Sequence, residues 1–64
     1  MQYSKHIIEN FEVSLFACDS CNWGEYSVKL TIDGEHADWY QMPWGVPMSL
    51  ELARKLFYRF MNSN

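Results

Sequence analysis

Residues 25–40, Glu25-Tyr26-Ser27-Val28-Lys29-Leu30-Thr31-Ile32-Asp33-Gly34-Glu35-His36-Ala37-Asp38-Trp39-Tyr40, read as two strands joined by a turn. Tyr26, Val28, Leu30 and Ile32 alternate with Glu25, Ser27, Lys29 and Thr31, the period of two of a strand with one buried face. Asp33-Gly34 follows at once. A two-residue type I′ turn needs positive φ at both central residues, and this pair tolerates it. The pair therefore predicts a tight hairpin and its register. Ile32 falls opposite Glu35, Thr31 opposite His36, Leu30 opposite Ala37, Lys29 opposite Asp38 and Val28 opposite Trp39. On that register Lys29 and Asp38 make a cross-strand charge pair on the outer face beside Ser27 and Tyr40, while Ala37 and Trp39 join the buried face.

Toward the N-terminus, Phe11, Val13 and Leu15 alternate with Glu12 and Ser14, and Ile7 shares the apolar parity, which predicts one strand from Ile7 to Ala17. Asp19, Ser20, Asn22 and Gly24 supply loop chemistry before the hairpin. Toward the C-terminus, Pro43-Trp44-Gly45-Val46-Pro47 breaks all periodicity. Ser49 then reads as a helix N-cap with Glu51 in the first turn. Leu52, Ala53, Leu56, Phe57 and Phe60 form an apolar stripe, with Glu51, Lys55, Tyr58, Arg59 and Asn62 on the other side. The expected architecture is a single α+β domain over residues 1–64: a three-stranded antiparallel β-meander followed by one C-terminal α-helix packed on one face, β-β-β-α.

A chain of 64 residues has room for one thin core. Its 48% hydrophobic content excludes a disordered tail, and no apolar run approaches the ~20 residues of a membrane span. The polar start, Met1-Gln2-Tyr3-Ser4-Lys5-His6, is not a secretory leader, so a cytoplasmic setting is expected. Net charge is −3, unevenly spread. All eight acids lie between Glu9 and Glu51 with one base, Lys29, whereas Arg54, Lys55 and Arg59 cluster in the last quarter. Direct nucleic-acid binding is disfavoured, because it takes a clustered basic footprint.

Cys18 and Cys21, spaced Cys-Asp-Ser-Cys, lack the further ligands of a zinc site and precede a strand rather than a helix. They read as incidental free thiols, with a zinc or redox protein as the minor alternative; no cofactor is expected. Asp33, Glu35 and Asp38 surround a hairpin tip rather than a cleft. His36 falls on the outer face near Asp38 and reads as a solvated surface histidine rather than a general base, and no catalytic motif is present, so the chain is not expected to be an enzyme.

Eleven aromatics exceed what so thin a core holds. Trp23, Tyr40, Trp44 and Tyr58, with Phe16 as a further candidate, fall on loops or outer positions, and exposed Trp and Tyr dominate binding hot spots. The acids Glu12, Glu25, Asp33, Glu35 and Asp38, with Tyr40 or Trp44 as anchor, are therefore the candidate partner-binding residues.

Met48-Ser49-Leu50-Glu51-Leu52-Ala53, opening a helix after strands, is similar in outline to HicB-type antitoxins, though the glycine-rich, proline-containing strand ends of that family are missing. That resemblance implies a small regulatory module acting as a homodimer. Taken whole, a short, acidic, motif-free single domain resembles the profile of phage-encoded anti-CRISPR proteins. That resemblance implies a non-catalytic inhibitor whose acidic sheet surface occupies the basic nucleic-acid-binding groove of a protein such as a CRISPR effector.

Overall fold

Among the described residues five elements follow one another: β1 (Gln2–Ile8), β2 (Phe11–Cys18), β3 (Glu25–Ile32), β4 (Glu35–Pro43) and the helix α1 (Leu50–Met61). The computed structural model describes residues 2–18 and 25–63. The strands form one antiparallel sheet in the order β1-β2-β3-β4, and α1 crosses one face. The expected α+β class holds, but the sheet has four strands rather than three.

The additional strand arises at Glu9-Asn10. Both residues have positive φ, 49° and 70°, so they make a second two-residue turn where one continuous strand was expected. Ile8 pairs with Phe11 and Ile7 with Glu12. A two-residue turn puts residues equally distant from it on the same face. Ile8 therefore joins the core at 4% exposure, while Ile7, expected inside, is 69% exposed.

The β3–β4 turn is as predicted, with φ of 51° at Asp33 and 83° at Gly34. Ile32 pairs with Glu35 and Thr31 with His36, but the register then slips by one residue. Leu30 faces Asp38, Lys29 faces Trp39, and Val28 faces Tyr40. One extra residue in a strand is a β-bulge, and it moves every later side chain to the other face. The expected Lys29–Asp38 pairing is thus replaced by Lys29–Trp39. Trp39 is turned outward, and Tyr40 and Met42 take the buried positions instead.

Val13, Leu15, Val28 and Leu30 from the two central strands meet Ala53, Leu56 and Phe57 of the helix in a fully enclosed layer. Burying a side chain such as Phe57 contributes about 1.5–3 kcal/mol. The helix begins where the sequence places it. Ser49 Oγ accepts a hydrogen bond from the Leu52 N–H at 3.2 Å, and the chain leaves the helix at Asn62, whose N–H donates to the Tyr58 carbonyl at 2.9 Å. Between β4 and the helix, Gly45 takes a φ of 100°, which a side chain rarely allows, and Tyr26 holds the connector by donating its hydroxyl to the Val46 carbonyl.

Candidate functional site

Both two-residue turns lie at the same end of the sheet, because β1–β2 and β3–β4 reverse in the same direction. They are tied together by the backbone. The Asp33 N–H donates to the Glu12 carbonyl and the Glu12 N–H donates to Asp33 Oδ1, each at 2.8 Å. Asp33 thus continues the β2–β3 ladder with its own side chain. Glu35 opens β4 directly beyond the turn and is exposed. Glu9, from the other turn, accepts a hydrogen bond from the Tyr58 hydroxyl and so links this end to the helix. That bond, together with burial and the Glu9 charge, holds the Tyr58 phenol above the usual tyrosine range.

Asp33 and Glu35 stand on the rim of a depression of about 290 Å³ between the hairpin and the last turn of α1. Phe11, Ile32, Ala37, Phe60 and Met61 line it with carbon, and the His36 ring lines it as well. A mostly apolar hollow bearing two carboxylates and an imidazole suits a lysine or arginine side chain, whose methylene stem packs against carbon while its head reaches a carboxylate.

The candidate residues therefore part company. Glu12, Asp33 and Glu35 come together at the hairpin end. Glu25 does not; it pairs with Pro43 at the other end of β3, about 23 Å away by strand rise. Asp38 sits at the bulge, and its carboxylate accepts the Trp39 N–H at 2.8 Å. Tyr40, placed on the outer face by the simple register, is 8% exposed inside the core and lies under the Arg59 guanidinium at 5.2 Å. Its phenol is raised by burial first and by Asp38 second, with Arg59 acting the other way. Trp44 is 58% exposed but stacks on Tyr26 at 5.2 Å between centroids, one ring face covered and one open.

The expected acidic sheet surface is consequently an acidic sheet end. The face away from the helix mixes Lys5 and Lys29 with Glu12 and Glu25, and Lys5 pairs with Glu12 at 3.3 Å. That exposed pair contributes at most about 1 kcal/mol. Glu9 belongs with the site although its position in the sequence did not single it out. The signal would have been a polar Glu9-Asn10 pair, ready to turn, between two apolar residues.

Among the described residues, no three His, Cys, Asp or Glu side chains are placed to hold a metal ion, and no helix is long and apolar enough to cross a membrane. Cys21 and Trp23 lie outside the described residues, as does the side chain of Cys18. Comparison with protein-family models, curated proteins and solved structures gives no match.

Proposed function

We propose that this chain is a non-catalytic binding protein whose acidic hairpin end occupies a basic surface of a partner protein. The observation that carries this reading is the apolar depression with Asp33 and Glu35 on its rim. An acidic cluster alone attracts any cation; a walled hollow beside it adds shape and so selects a cationic side chain presented by a folded surface. Glu9, in the neighbouring turn, adds to the negative potential of this end, while Glu12 lies on the outer face and shares its charge with Lys5. Such a potential speeds encounter with a basic partner and makes it sensitive to salt. Surfaces of that kind on proteins are often built to hold nucleic acid, which keeps a CRISPR effector among the candidate partners and an inhibitor by occupancy as the mode of action.

The test uses Asp33→Asn with Glu35→Gln. Asparagine still offers an oxygen to the Glu12 N–H, so the variant removes charge while keeping the turn. Wild type immobilised in a bacterial lysate should retain a basic, nucleic-acid-binding protein at low salt and release it at high salt. The variant should retain much less of it. Equal retention by both proteins at low salt, with the variant folded by circular dichroism, would sink the proposal.

A further inference from the structure

The opposite side of the molecule has a second concave surface of the reverse charge. The flank of α1 and the end of β4 enclose a groove of about 750 Å³. Met42, Val46, Leu52 and Leu56 form its floor. Glu51, Lys55 and Arg59 recur every four residues along the helix flank that lines it, and Arg54 lines it too. Three cations thus face one carboxylate, in a chain whose net charge is −3.

The strand forming one wall is an edge strand. β4 has β3 on one side, and no described strand lies beyond it. An edge strand directs alternate N–H and C=O groups outward, where another strand can pair with them. The usable stretch is short, since the bulge interrupts β4 beside Asp38 and Pro43 has no N–H to give. Trp39 to Met42 remain, and within them the Trp39 N–H is already held by the Asp38 carboxylate, so the outward groups of Gln41 and the Trp39 carbonyl carry the pairing. Within them Tyr40 and Met42 face the helix side, with Arg59 over Tyr40 and Val46 among the groove residues near Met42.

We propose that β4 accepts an extended acidic peptide segment as a fifth strand along Trp39–Met42, with its alternate side chains entering the groove. The pleat fixes what those side chains are. The one level with Tyr40 is a carboxylate, within the reach of Arg59 and Lys55. The one level with Met42, two residues along, is apolar and rests against Val46 and Leu52. Main-chain pairing supplies affinity and the acidic-x-apolar pattern supplies selection. A second copy of this chain is a poorer occupant. Two β4 strands paired about a two-fold axis would place both helices on the same side of the joined sheet, bringing both sets of Arg54, Lys55 and Arg59 to the seam. This surface is separate from the acidic end, so either reading can fail without the other.

The experiment titrates the intact, 15N-labelled protein with a blocked peptide of repeated Glu-Thr-Val-Thr units, and with its Lys-Thr-Val-Thr counterpart. The acidic peptide should move the Trp39–Met42 amide resonances and slow the exchange of the Gln41 amide. The lysine peptide should bind at least about tenfold more weakly, a difference of about 1.4 kcal/mol. Arg54→Glu with Lys55→Glu should lose that preference while keeping Arg59 over Tyr40. Shifts elsewhere, equal affinity for the two peptides, or no binding up to the solubility limit would overturn the proposal. So would concentration-dependent shifts along β4 without peptide, accompanied by a dimer in sedimentation, which would assign the edge to a second copy.

Discussion

Exchanging Trp39 and Tyr40 between inside and outside is the most exposed claim of this fold, and truncating each tests it. Tyr40 is 8% exposed, between the sheet and Arg59, whereas Trp39 is 47% exposed on the uncovered face. Replacing a buried aromatic by alanine costs about 3–5 kcal/mol, and the lost contact with Arg59 adds about 0.5–1 kcal/mol. Tyr40→Ala should therefore cost about 4 kcal/mol. A 64-residue domain has only about 3–10 kcal/mol of stability, so this variant should be partly or wholly unfolded at room temperature. Trp39→Ala removes a larger side chain but a half-exposed one, and should cost about 1 kcal/mol. At roughly 4–8 °C per kcal/mol for a domain this small, Tm falls by less than about 10 °C. Urea titration followed by far-ultraviolet circular dichroism reads both without relying on the tryptophan being removed. If Trp39→Ala lowers the midpoint more than Tyr40→Ala does, the uninterrupted register is right and the bulge is wrong.

Two further outcomes follow from the turn and from the phenols. At φ 70°, Asn10 should tolerate glycine with little change in Tm, whereas Asn10→Val should cost about 1–2 kcal/mol, because a β-branched residue fits the left-handed region poorly; equal midpoints would argue against a turn there. Tyr26 and Tyr40 (by burial foremost) and Tyr58 (foremost by its hydrogen bond to Glu9) all have phenols raised above 10.0. A raised folded-state value favours the neutral phenol, so this stabilisation is whole below pH ~10 and is lost as pH climbs through the folded values. Ultraviolet absorbance of the native protein should show three tyrosines ionising late, and Tyr58→Phe should remove one of them; three normal titrations would refute the placements.

The elements that were legible were those whose local chemistry and tertiary role agree. Ser49, Glu51 and the stripe from Leu52 to Phe60 specify a capped amphipathic helix whatever the sheet does, and Asp33-Gly34 specifies a turn by backbone freedom alone. β1 was hidden because its pattern is inverted. Ser4 and His6 are opposite Leu15 and Val13 on the helix side, while Tyr3 and Ile7 face outward at 63% and 69% exposure. With no apolar alternation of the right phase, Ile7 attached itself to the parity of β2 across a turn that contains no glycine. The bulge was hidden for a different reason. Ala37 is small enough to sit on either side of the slip, so only the later Tyr40-x-Met42 alternation records it. The acids were visible as a count, but their grouping depends on the hidden hairpin, which brings Glu9 to the end that Asp33 and Glu35 occupy.

In this sheet every strand borders its neighbours in sequence, and two of its three connections are only two residues long. Closing such short loops costs little chain entropy, so pairing can advance from one hairpin to the next without a distant search. Only α1 departs from that neighbour-to-neighbour pattern: it returns over the sheet and joins Tyr58 to Glu9 across 49 positions. The fold is thus a zipper of adjacent strands with one clasp, and the clasp sits at the acidic end.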